Sequence, residues 1–130
     1  MLYYDTLIRE YHLDSFGHVN NAMYLQIYEE ARWEVITQNG YGYKEVHALK
    51  QGPIILELNI KFIKELKLRD AIRVTVETVS YPGKTGQLKQ QMIKNDGLVA
   101  SELLVTFGLF DMVQRRLIEA TPAWRKAIGV

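Results

Sequence analysis

One long helical stripe stands in a chain otherwise patterned for strands. From Asn21 onward, Tyr24, Ile27, Tyr28, Ala31 and Val35 fall at three- and four-residue steps, the spacing that gathers apolar side chains on one face of an α-helix. Met23 and Trp33 widen that stripe, so the predicted helix is covered on more than one side. Asn39-Gly40 ends it, because both residues tolerate the left-handed backbone found past helix C-termini. A helix this apolar needs a large partner surface, and the rest of the chain has to supply it.

That surface reads as sheet. Leu2–Tyr11 is a predicted first strand, with Leu7, Arg9 and Tyr11 alternating against Ile8, Glu10 and His12. After a predicted short helix over Tyr43–Leu49 and a Gly52-Pro53 breaker, Ile54–Phe62 alternates. Leu56, Leu58, Ile60 and Phe62 take one of its faces, and Glu57, Asn59 and Lys61 the other. Ala71–Tyr81 is rich in Val, Ile and Thr. Pro82–Gly86 reads as a turn, Gln87–Lys94 as a strand and Asn95-Asp96-Gly97 as a hairpin connection. Leu98–Asp111 is the closing strand, and Pro122–Ile128 a short helix with proline in its first turn. The class is α+β: five antiparallel strands curling around one helix as a single domain over residues 1–130.

Composition narrows the function classes. Sixteen basic against fifteen acidic residues give a net charge of +1, with no basic stripe interleaved with aromatics, so nucleic acid and anionic lipid are not expected partners. No apolar run is long enough to span a bilayer, and MLYYDTLIRE, acidic and strand-patterned, is not expected to act as a signal peptide. With no cysteine there is no disulfide, thiolate-zinc site or cysteine nucleophile. That is compatible with a reducing cytoplasm. Ser15, Ser80 and Ser101 lack a G-x-S-x-G context. His12, His18 and His47 lack metal-binding spacing, so no metal site is expected. Gly83-Lys84-Thr85-Gly86 is not a P-loop, because position 78 is Thr78 where the motif needs glycine.

Chemistry concentrates where the strand pattern gives way to the helix. Asp14, Gly17, His18, Asn20 and Asn21 lie within eight residues, immediately before the helix start. Helix starts carry unpaired N–H groups and a positive dipole end, which can hold an anion or a developing oxyanion. Read alone, Asp14 is a turn residue too far upstream to cap the helix, and Asn20 and Asn21 are turn and cap residues.

The run Asp14-Ser15-Phe16-Gly17-His18-Val19-Asn20-Asn21, followed by Tyr24 and Glu29-Glu30-Ala31-Arg32, resembles the signature of the hotdog-fold acyl-CoA thioesterases, nearest to the 4-hydroxybenzoyl-CoA thioesterase-like branch. The similarity extends more weakly from about Leu7 to Asp111. It implies a hotdog fold, a five-stranded antiparallel sheet around one central helix, and hydrolysis of a fatty or aromatic acyl-CoA. It makes Asp14 the catalytic carboxylate and the Asn21 N–H the group polarising the thioester carbonyl. His18 becomes an assisting or substrate-positioning residue. The plant acyl-carrier thioesterases have a catalytic His at that position but Asn where this chain has Phe16. Gly17 lets backbone approach the substrate. Asn20, Tyr24 and Glu57 are candidate substrate contacts, and Lys84, Thr85 and Gly86 are expected on the coenzyme A phosphates.

Glu29 and Glu30 are rival carboxylates, since some hotdog enzymes carry theirs on the central helix; structurally they are expected to pair with Arg32 or Lys44. No cofactor is expected beyond the coenzyme A of the substrate. The resemblance also implies a homodimer or homotetramer. A non-catalytic acyl-CoA or acyl-carrier-protein binding protein, an acyl-ACP thioesterase and a hotdog dehydratase stand as alternatives.

Overall fold

The computed structural model describes residues 2–130, and its centre is the expected helix. Helix α1 spans Asn21–Gln38, and the five residues of the predicted stripe are all buried, joined by Ile36. Each large aliphatic side chain among them contributes about 1.5–3 kcal/mol when taken out of water. Strands β1 (Leu2–Leu7), β2 (Gln51–Phe62), β3 (Ala71–Ser80), β4 (Thr85–Lys94) and β5 (Val99–Asp111) form one sheet. Their order is β1-β3-β4-β5-β2 with antiparallel neighbours throughout. The inner face packs on α1 through Val74, Val76, Leu88, Met92, Leu103, Val105 and Phe107. This is the hotdog arrangement.

Several boundaries differ from the sequence reading. The first strand stops at Leu7, and Glu10–His12 is a 3₁₀ turn. The His12 ring accepts the Arg9 N–H at 2.9 Å there and bends the chain toward the loop before α1. Gly52-Pro53 does not break β2 but lies inside it. As β2 is an edge strand, a residue without an N–H is tolerated there. Thr85 and Gly86 already belong to β4. A short sixth strand, β6 (Arg116–Ile118), pairs with β5; its three residues carry too little alternation to be legible. Helix α2 covers Tyr43–Leu49 and α3 covers Pro122–Ala127.

The register of β2 matters for function. A bulge at Leu56 shifts the pairing, after which Leu58, Ile60 and Phe62 sit opposite Val105, Leu103 and Ser101. Cross-strand partners share a face, so these three point inward toward α1. Leu56 itself is the bulged residue and leaves the predicted row. Because no strand covers β2 on its far side, Leu58 is 40% exposed and Phe62 53% exposed.

Candidate active site

The segment before α1 is a closed loop built by Asp14. Its Oδ1 accepts the N–H of Phe16 at 2.9 Å and of His18 at 3.0 Å. Its own N–H donates to the His18 carbonyl at 2.7 Å, and the Gly17 N–H donates to the Asp14 carbonyl at 3.1 Å. Leu13 and Val19 bridge across the base. Gly17 turns with φ +81°, a conformation that side-chain-bearing residues seldom adopt. One carboxylate oxygen is thus fixed by two backbone donors, while Oδ2 has no hydrogen bond from the described residues. The loop holds its carboxylate rather than merely displaying it.

The helix start completes the arrangement. Asn20 is the N-cap, its Oδ1 accepting the Ala22 N–H at 2.9 Å. Its carbonyl accepts the Met23 N–H at 2.9 Å, and its own N–H donates to the His12 carbonyl. Of the first three helical N–H groups, those of Ala22 and Met23 are satisfied and that of Asn21 has no partner among the described residues. An orphan donor at the positive end of an eighteen-residue helix is a preorganised site for negative charge. One turn further, Tyr24 is buried edge-to-face against Phe62, ring centroids 4.9 Å apart, and burial raises its hydroxyl pKa. The His18 imidazole is exposed, with Nε2 3.9 Å from Glu65 Oε1. Phe16, at the loop tip, is 84% exposed.

A carboxylate anchored by one oxygen, in the loop that leads into an unpartnered helix-terminal N–H, suits attack on a carbonyl carbon. The profile of the Thioesterase-like superfamily matches residues 8–128, nearly the whole chain. The chain belongs to the thioesterase-like superfamily. A relative named long-chain acyl-CoA thioesterase FadM, from Escherichia coli K12, is 31% identical over 112 residues, covering 85% of this chain and 84% of the relative. The solved structure of YbaW, a probable thioesterase from Escherichia coli, superposes with a TM-score of 0.85 at 27% identity, covering 98% of this chain and 96% of that one. The Staphylococcus aureus protein SAV2348, solved in complex with CoA, shares the fold with a TM-score of 0.90 at 23% identity, covering 98% and 81% of the two chains. The protein is therefore a thioester hydrolase.

The fold separates the remaining candidates of this thioesterase. Asp14, Gly17, His18, Asn20, Asn21 and Tyr24 share the end of the sheet where Phe62 faces Ser101. Lys84, Thr85 and Gly86 lie at the other end, where Gly86 faces Phe107. Six residue steps along β5 separate the two ends, roughly 20 Å. Gly86 also has a packing reason to be glycine: an added Cβ would run into the Tyr81 ring. Glu57 pairs with Thr106 on the outer face of β2, away from α1 and the loop. Within one chain, neither Glu57 nor the Lys84 turn joins the Asp14 loop.

Arg32 corrects an expectation and adds a residue. It bonds neither Glu29 nor Glu30: one guanidinium nitrogen donates to Gln90 Oε1 at 2.9 Å. Gln90 is fully buried, and its amide nitrogen donates to the Tyr28 carbonyl at 3.2 Å. The Tyr28 hydroxyl in turn donates to Ser101 Oγ at 2.9 Å, and burial pushes its pKa up. Burial also lowers the Arg32 pKa, with Glu29 opposing. Only the apolar neighbours of Gln90, Leu88 and Met92 on the same face of β4, hinted that this amide lies inside the core.

Proposed function

We propose that the protein hydrolyses the thioester of a fatty or aromatic acyl-CoA to free acid and coenzyme A, with Asp14 and the Asn21 N–H as the reacting pair. The observation that carries this reading is a carboxylate fixed through Oδ1 with Oδ2 free, in the loop that leads directly to an unsatisfied helix N–H. The thioester carbonyl oxygen accepts from the Asn21 N–H, whose dipole stabilises the charge that develops there. Asp14 either attacks the carbonyl carbon, expelling the thiolate to leave an acyl anhydride that water then hydrolyses, or takes a proton from the water that attacks directly. The leaving thiolate needs little assistance, since a free thiol has a pKa of about 8.5. Gly17 and Asn20 shape the loop around the reacting group, Tyr24 walls it and His18 positions the substrate. No metal or redox group enters this scheme; coenzyme A arrives with the substrate. The cysteine-free composition suits a reducing cytoplasm, the proposed location.

The site is proposed to be shared between two copies of the chain. Strand β2 leaves an edge of twelve residues unpaired, with Ile55, Leu56, Leu58 and Phe62 exposed along it. Exposed apolar edges of this kind invite pairing with another strand. Two-fold pairing of β2 with its copy runs the strands antiparallel, which sets the Phe62 end of one protomer beside the Gln51 end of the other. The Lys84 turn of one protomer then approaches the Asp14 loop of its partner, and Lys84, Thr85 and the Gly86 amide meet the nucleotide end of the substrate there. Glu57, exposed on the same edge, becomes a contact between copies or with the substrate's coenzyme arm. A homodimer, or two such dimers as a tetramer, is the expected assembly.

Thiol release from a panel of aryl, short-chain and long-chain acyl-CoAs tests the reading. Turnover of at least one class by the purified protein is expected, and absence of release across the panel overturns it.

A further inference from the structure

Along β2 the inward residues Phe62, Ile60 and Leu58 run from the Tyr24 contact toward the far half of α1. There a cavity of about 120 Å³ has Arg32, Trp33, Ile36, Pro53, Phe107 and Trp124 among its walls. For scale, a cavity of about 150 Å³ lined by apolar residues accommodates benzene. This one has room for the last few atoms of an acyl chain.

Its wall holds an unusual group. Arg32 is partly buried, and no carboxylate of the described residues comes within ion-pair distance of it. Arg69 and Arg73, by contrast, each hold a carboxylate at 2.9 Å, at the surface. The partner of Arg32 is a neutral amide whose orientation is fixed from behind by the Tyr28 carbonyl. A guanidinium has five donors in a planar fork suited to a carboxylate, and the bond to Gln90 occupies one nitrogen. A desolvated cation facing an apolar cavity without a counter-ion is costly, and a ligand carboxylate relieves that cost. Glu29 is the competing charge: it lines the same cavity one turn earlier on α1, though its side chain is exposed.

The geometry sets a length. Arg32 follows Asn21 by eleven residues, roughly 16 Å along the axis and about 20° around it, so the two share one line of the helix. Long helical side chains lean toward the N-terminus, which brings the guanidinium back by about a turn, or roughly 5 Å. About 11 Å then separates the Asn21 N–H from the Arg32 donors, and an extended chain covers that with roughly eight to ten carbons at about 1.25 Å each.

We infer that Arg32 makes this cavity a receptor for the far end of acyl groups that terminate in a carboxylate, so that the enzyme prefers ω-carboxyacyl-CoAs of medium length over their methyl-ended counterparts. This rests on the thioesterase reading above and names its substrate class. The test is thiol release from paired series of acyl-CoAs and ω-carboxyacyl-CoAs spanning about six to sixteen carbons. Wild-type protein is expected to favour the ω-carboxy member in kcat/KM by at least about tenfold near ten carbons, the gain expected from a charge-assisted hydrogen bond. Arg32→Met keeps length and removes charge, and is expected to reverse the order. Because that change also leaves Gln90 Oε1 without its donor, Glu29→Gln serves as the second variant. It removes the competing carboxylate and is expected to widen the wild-type preference. Release from the methyl-ended series with no ω-carboxy preference overturns the inference and leaves the thioesterase reading intact. Release from neither series overturns both.

Discussion

Replacing Asp14 by Asn separates chemistry from architecture in the loop before α1. The carboxylate does two things in the proposed scheme, one with each oxygen. Oδ1 accepts the Phe16 and His18 N–H groups at 2.9 and 3.0 Å, and the amide oxygen of Asn can accept the same two bonds. Exchanging charge-assisted for neutral hydrogen bonds costs about 1–2 kcal/mol in all, well within the stability of an ordinary domain. The folded state should survive with a melting temperature lowered by a few degrees. Oδ2 is the oxygen left for substrate, and in Asn its place is taken by an NH₂ that neither attacks a carbonyl nor accepts a proton. General-base catalysis alone is worth about 10²–10⁴-fold, or roughly 2.7–5.5 kcal/mol of barrier. Single-turnover hydrolysis by Asp14→Asn should therefore fall at least about a hundredfold, while a non-hydrolysable acyl-CoA analogue still binds. Asp14→Ala, which also removes both loop bonds, should match that loss and weaken binding as well. A rate for Asp14→Asn within a few-fold of wild type, with Asp14→Ala much slower, would mean that Asp14 only builds the turn. Glu29, Glu30 and Glu57 would then be the carboxylates to test.

Two further outcomes follow from other parts of the structure. Lys84→Ala should raise KM for acyl-CoA with kcat nearly unchanged, the pattern of lost uniform binding. If the Lys84 turn serves its partner's loop, mixing Lys84→Ala with Asp14→Asn protomers creates one unaltered site per mixed dimer and restores low-KM turnover; no restoration places both groups in one chain's site or neither. His12 is buried, and that burial lowers its pKa below the ordinary value. A histidine whose folded pKa is depressed contributes stability that is full above its unfolded pKa of about 6.5 and is lost as pH falls below it. Melting temperature should therefore drop below about pH 6.5 in wild type, and less steeply in His12→Asn; parallel profiles would remove His12 as the cause.

The residues that specify the fold were legible because each acts through its own neighbours in sequence. The spacing of Tyr24, Ile27, Tyr28, Ala31 and Val35 is a property of twelve consecutive residues, and the helix it implies is the helix observed. The Asp14–Asn21 loop is equally local: the bonds that Asp14 and Asn20 accept run between residues two to four apart, and its base is closed by His12 and Leu13 just upstream, so the segment carries its own geometry. What the sequence hid is what two distant segments decide together. Gln90 reads as one polar position on a strand until the fold sets it against the Tyr28 carbonyl and the Arg32 guanidinium, more than fifty residues away. The bulge at Leu56 takes one residue out of an otherwise correct row, and a single extra residue in one strand leaves no mark on alternation that short.

The Lys84 turn shows the same limit in its strongest form. Its glycines and lysine suit a phosphate contact, yet the chain that carries them places them about 20 Å along the sheet from the loop they would serve. No rearrangement of one protomer closes that gap without breaking the β4–β5 ladder. An antiparallel copy across β2 would close it with no change of fold, because two-fold symmetry exchanges the two ends of the sheet. The exposed apolar edge of β2 is an observation about burial, and the separation of Lys84 from Asp14 one about register. If Lys84 serves the substrate as proposed, the proposed dimer answers both. That is why the shared site, rather than a monomer with a remote phosphate contact, is the arrangement on which the mixed-dimer experiment is built.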